Sequence, residues 1–175
     1  MTNYREIVTK AVLSKGKRLF TTTNRVTVEN PSTILGCWVI NHTFNGVKNK
    51  DKIIINGSYD VNIWYSYDND TKTNVVRETN RYSEVINMRE HEQSTNEEVI
   101  VRSLKQPSCV NATLENDQIV YTIEKELGIE LVGDIKVKVE ANLEEDPWDE
   151  ILENEVKEEN VAAEIKEDFI DENTI

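Results

Sequence analysis

The chain has 175 residues, 20 basic and 33 acidic, giving a formal net charge of −13. That length suits one domain with an appendage, and that charge argues against nucleic acid, whose phosphates need clustered Lys and Arg. No apolar run nears the ~20 residues of a membrane span, no secretory signal is visible in the polar N-terminus, and two cysteines are too few for a disulfide scaffold.

The charge is unevenly placed. Residues 144–175 hold 14 acidic residues and two basic ones, Lys157 and Lys166, a net −12, which leaves −1 for residues 1–143. A nearly neutral body therefore ends in a self-repelling anionic segment of the kind that serves as an interaction arm. The expected organisation is an assembly domain over 1–143 and an acidic partner-binding tail over 144–175, largely disordered or weakly helical.

In chain order, Tyr4 to Lys15 reads as a short helix. Ile7, Val8, Ala11 and Val12 fall at i, i+1, i+4 and i+5 and make one apolar stripe, with Gly16 as a stop. From Leu19 the β-branched Thr21-Thr22-Thr23 and Val26-Thr27-Val28 suit a pleated surface. Asn30-Pro31-Ser32 reads as a turn, Ile34 to Ile40 as a strand covered on both faces, and Asn45-Gly46 as a hairpin signal. Ile53, Ile55, Gly57, Tyr59, Val61, Ile63, Tyr65 and Tyr67 then share one side of an extended chain. Asn56, Ser58, Asp60, Asn62 and Ser66 line the other, with Ile54 and Trp64 as exceptions. This is a strand with one buried face, long enough that Gly57 suggests a bulge or bend.

Asp68-Asn69-Asp70 supplies the next turn, and Thr71 to Met88 continues as strand. Glu90 to Glu98 reads as a polar loop. Val99–Val101, Val110–Leu114, Ile119–Ile123, Ile129–Val132 and Ile135–Val139 complete the strands, with a break at Pro107 and turns at Asn116-Asp117 and Gly133-Asp134. The sum is an all-β fold: an antiparallel β-sandwich of about eight strands with a short N-terminal helix. Beyond Leu143, Trp148, Ile151, Leu152 and Val156 fall at helical spacing, as do Val161, Ile165 and Phe169. Isolated helices this short are barely stable in water, so this segment is expected to fold on a partner.

Catalytic constellations are missing: no phosphate loop, no dinucleotide glycines and no nucleophile elbow. Cys37 and His42 have C-x4-H spacing, but no second Cys/His pair follows at zinc-finger distance. Asp68-Asn69-Asp70 begins like a calcium loop, yet Lys72 and Thr73 stand where that loop requires Asp or Asn and then Gly. The reading is a non-enzyme with no metal, no cofactor, no nucleic-acid partner and no direct membrane insertion. Trp64 stands out as an exposed aromatic, because its face otherwise carries Asn and Ser. With Tyr67 and the stripe Ile7, Val8 and Val12 it forms the candidate self-assembly set. Trp148, Ile151, Leu152, Ile165 and Phe169 are the candidate partner anchors of the tail. Cys37 and Cys109 are two partly buried thiols, or crosslinks between chains should the surroundings turn oxidising.

Several segments together resemble one family. They are Tyr4-Arg5-Glu6-Ile7-Val8-Thr9-Lys10-Ala11-Val12, Ser32-Thr33-Ile34-Leu35-Gly36-Cys37-Trp38-Val39-Ile40-Asn41-His42, Tyr59-Asp60-Val61-Asn62-Ile63-Trp64-Tyr65-Ser66-Tyr67 with Thr71-Lys72-Thr73, and Gln106-Pro107-Ser108-Cys109. In this order they look like the CotE family of outer spore coat morphogenetic proteins, over roughly residues 4–140. The richness in Asn, Ile and Lys suits a clostridial member. The resemblance implies a scaffold made in the mother-cell cytoplasm and then built into the spore coat. Such a scaffold self-associates, docks onto encasement proteins and recruits other coat proteins through its acidic C-terminal region. Two other readings compete. One is a monomeric adaptor that binds only through its tail. The other is a carbohydrate-binding β module using Trp64, the tyrosines and Asp60, which requires a second carboxylate facing Asp60.

Overall fold

The computed structural model of the chain describes residues 3–88 and 94–141. Among them are six strands and no helix: β1 (Tyr4–Thr27), β2 (Pro31–Asn49), β3 (Lys52–Tyr67), β4 (Lys72–Asn87), β5 (Thr95–Glu115) and β6 (Gln118–Glu140). They form two three-stranded sheets, ordered β1-β6-β5 and β2-β3-β4. Antiparallel registers tie β2 to β3, β3 to β4 and β5 to β6. Arg5–Val139 makes up one unit. Among the described residues outside it, the Ala141 amide donates to the Asn3 carbonyl at 2.8 Å.

The two sheets share their core as a sandwich does. On β3 the inward row is Ile53, Ile55, Gly57, Tyr59, Val61, Ile63 and Tyr65; on β6 it is Ile119, Tyr121, Ile123, Lys125, Leu127, Ile129 and Leu131. Both rows follow from period-two alternation. One buried cluster joins Tyr59, Val61, Ile63 and Tyr65 to Ile119, Tyr121 and Ile123. A second joins Ile53 and Ile55 to Leu127, Ile129 and Phe20. Beside these central strands, β2 and β5 run along a common seam.

The expected N-terminal helix is not formed; Tyr4 to Lys15 lies within β1. In a strand the four stripe residues divide, with Ile7 and Ala11 on one face and Val8 and Val12 on the other. Tertiary pairing decides here. β1 lies beside β6, with Lys15 on Glu130 at 3.2 Å, Lys17 on Glu126 at 3.4 Å and Thr23 on Thr122 at 3.0 Å. The basic cluster Lys15, Lys17 and Arg18 is therefore strand, and its two lysines are neutralised by the neighbouring acids. Covered positions on β1 are odd at Ala11 and Leu13 but even at Ser14, Phe20, Asn24 and Val26. Such a switch of parity needs an extra residue between them.

Six strands replace the expected eight because interruptions read as breaks are passed over. Asn45-Gly46 is not a turn. The β2–β3 hairpin closes four residues later, where Asn49 pairs with Lys52 and Lys50 takes φ 53°. Gly46 is instead a point of close approach: a Cβ there would collide with Val101 and crowd Val99 of β5. Gly133-Asp134 likewise lies inside β6, and Gly133 backs onto Ser94 and Leu13. Pro107, read as a break, is buried within β5 at a register shift between Lys105 and Ser108, a place where a strand tolerates a missing N–H. The polar stretch up to Glu98 joins β5 from Thr95. The turns at Asp68-Asn69-Asp70 and Asn116-Asp117 form as expected, with all five residues at positive φ, a conformation Asn and Asp tolerate.

Candidate functional site

Each central row is interrupted once, and the two interruptions meet. On β3 the gap is Gly57. A Cβ there would strike the Tyr82 ring and lie 2.7 Å from the Thr43 carbonyl oxygen, so glycine admits Tyr82 from β4 into the interior. Gly57 is in regular register with both neighbours, and the bulge lies on β2 between Ile40 and Thr43, where Asn41 has φ 58°. On β6 the interruption is Lys125, only 1% exposed. Its Nζ sits 3.1 Å from Glu84 Oε1 of β4. It also lies over two rings, 4.1 Å from the Tyr82 centroid and 5.1 Å from that of Phe20. A buried ammonium needs such compensation.

The polar layer continues to the seam. Tyr82 Oη is 2.7 Å from His42 Nε2, and His42 Nδ1 is 3.4 Å from Gln106 Oε1 of β5. The His42 ring packs on Phe44, Tyr59 and Tyr82. On the far side the Asn80 amide donates to Tyr121 Oη at 3.1 Å. A band of polar atoms thus separates the two apolar clusters, with Tyr82 packed on both. Burial, with the Lys125 charge adding, pushes the His42 pKa down. Burial pushes the Tyr59 and Tyr82 hydroxyls up to about 12. These directions keep the imidazole neutral and the phenols protonated at neutral pH, so neither tyrosine is poised as a base.

The outer face of the β2-β3-β4 sheet is different in character. Its register aligns Gly36, Trp64 and Val75 in one cross-strand row and Trp38, Asn62 and Arg77 in the next. The Trp38 ring leans over Gly36 and would touch a Cβ there at 3.6 Å, so the two indoles flank the glycine. Arg77 Nε donates to Asn62 Oδ1 at 2.9 Å, and Asn62 is buried beneath this cover. Trp38, Trp64 and Val75 remain 43%, 45% and 48% exposed. Asp60, one row further, accepts from Asn41 Nδ2 at 2.8 Å and Thr79 Oγ1 at 2.7 Å. Its cross-strand neighbours are Ile40 and Thr79, so no carboxylate stands opposite it on either adjacent strand.

Trp64, selected from its position in the alternation, is thus an outward-facing exposed aromatic. Ile7, Val8 and Val12 are exposed on β1. Tyr67 is half-buried, packed on the core near Tyr65, with Lys72 Nζ 5.8 Å from its ring centroid. Cys37 and Cys109, on different strands, are half-buried free thiols. Trp148, Ile151, Leu152, Ile165 and Phe169 lie outside the described residues, as does the 143/144 boundary. The sequence reading passed over Trp38, Lys125, Glu84 and Tyr82. Lys125 left a signal: it is the single charge in the alternate-residue series from Ile119 to Leu131. No group of three or more His, Cys, Asp or Glu able to hold a metal occurs among the described residues.

The model of the family described as outer spore coat protein E (CotE) matches residues 3–172. The chain belongs to the outer spore coat protein E family. No curated protein and no solved structure matches the chain.

Proposed function

We propose that this protein is a self-assembling, non-enzymatic scaffold of the outer spore coat. It is made in the mother-cell cytoplasm, repeats through surfaces of its β body, and recruits other coat proteins through the acidic segment 144–175. The observation that carries this reading is the exposed Trp38, Trp64 and Val75 patch on the outer face of the β2-β3-β4 sheet, with the exposed Ile40 one row further. Exposed aromatics grouped in this way are the residues that dominate protein contacts. The outer strands β1 and β4 each have one ladder neighbour, and an unpaired strand edge is a route by which one copy adds to the next. In the other sheet, the exposed Ile7, Val8 and Val12 add apolar side chains on β1, divided between its two faces.

Light scattering across a concentration series, on the full chain and on a chain ending at Leu143, tests the division of labour. The full chain grows into oligomers as concentration rises. The shortened chain still assembles but no longer captures coat proteins. A full chain that stays monomeric at high concentration, or a shortened chain that loses assembly together with capture, favours the adaptor reading instead.

A further inference from the structure

The β2–β5 seam carries two thiols that face one another. Cys37 of β2 stands opposite Ile63 of β3, and Cys109 of β5 opposite Ile123 of β6. Ile63 and Ile123 belong to one buried cluster, and both cysteines pack against it. Cys109 is near enough to Cys37 to act on its ionisation. β2 and β5 belong to different sheets, so they share no strand ladder. Polar links across the seam include the His42–Gln106 contact at 3.4 Å and the Lys48–Glu97 ion pair. Register shifts flank each thiol, at Ile34/Gly36 on β2 and at Lys105/Ser108 and Cys109/Asn111 on β5. At such irregularities the backbone already departs from the ladder and has freedom to adjust.

We propose that Cys37 and Cys109 form a disulfide within one chain when the protein meets a small-molecule disulfide, and that this bond covalently closes the seam between the two sheets. The first step is attack of the Cys109 sulfur on the oxidant. A Cys109–oxidant mixed disulfide forms, and one molecule of small thiol leaves with the displaced proton. In the second step the Cys37 sulfur attacks the Cys109 sulfur, the Cys37–Cys109 bond forms, and a second small thiol leaves. Two protein thiols are oxidised and one small disulfide is reduced. Burial, reinforced by Cys109, pushes the Cys37 pKa up, and the same bond and the same balance result if the two sulfurs exchange roles. The bond encloses a loop of about 70 residues, long enough to restrict the unfolded chain strongly.

The test uses the full chain, reduced and then exposed to oxidised glutathione. Unlabelled and nitrogen-15-labelled chains are mixed in equal amounts beforehand. After alkylation and non-reducing digestion, mass spectrometry finds the Cys37–Cys109 peptide pair as light–light and heavy–heavy species. The melting temperature rises by roughly 10 °C, and the rise is absent from Cys37→Ser and Cys109→Ser chains. Linked peptides in which light–heavy pairs reach about half, the share that random pairing between chains gives in an equal mixture, would show bonding between chains and overturn the proposal. So would stable glutathione adducts on either cysteine without the linked pair.

Discussion

A lysine buried as deeply as Lys125 is held by Glu84, Tyr82 and Phe20 together, and each partner can be removed separately. Lys125→Ala leaves Glu84 without its counter-charge and opens a void, so it should destabilise the fold by about 3–5 kcal/mol in chemical denaturation. The paired change Lys125→Met with Glu84→Leu keeps the volume and removes both charges. It should recover most of that loss, and a double variant as unstable as the single one would show that the ion pair does not account for it. His42 makes the same interior sensitive to pH. Its folded pKa lies below the ordinary 6.5, so in the window just below 6.5 the unfolded chain binds a proton that the folded chain does not. Stability therefore rises with pH through that window and falls as pH drops. Melting temperatures recorded from pH 7 to pH 5 should decline, and His42→Gln should flatten part of that decline. The tyrosines act at the other end. With Tyr59 and Tyr82 pushed to about 12, unfolded phenols ionise first between pH 10 and 12, and stability falls as pH rises there.

At the level of strands, the legible parts of the fold were those in which local pattern and tertiary environment agree. The alternation from Ile53 to Tyr67 gave both faces of β3, and with them the exposure of Trp64. Asp68-Asn69-Asp70 and Asn116-Asp117 announced their turns because their side chains accept positive φ. β1 was illegible for a physical reason. Its apolar residues fit a helical stripe as well as an extended chain, and its ladder partner β6 lies about a hundred residues away in the sequence. The hairpin cue at Asn45-Gly46 misled because the glycine answers a neighbour, β5, and not a turn. Trp38 went unnoticed inside an apolar run, where nothing local separates inward from outward residues. Combining Trp38→Ala with Trp64→Ala removes two half-exposed rings, so the melting temperature should move little while self-association weakens by tenfold or more. Sedimentation velocity measures this directly, and unchanged association would place the contact on another surface, such as the edges of β1 or β4.

Across the whole molecule the charge is partitioned, with a body near neutrality and −12 on residues 144–175. Within the body, acids are matched to cations: Glu130 and Glu126 to Lys15 and Lys17, Glu115 to Arg25 at 3.0 Å, and Glu98 to Lys10 at 3.8 Å. Pairs this exposed add little stability, but they leave the body little net charge with which to repel its copies. The interior band around Lys125 bears on the same point. Sliding one sheet along the other by a single side-chain repeat, about 7 Å, would draw the ammonium away from Glu84 and set it among isoleucines. Alignments that an all-hydrocarbon filling would tolerate are thereby forbidden, and every copy must present its indoles at the same height. The regularity of a shell built from such copies would then begin with a cation that never meets the outside.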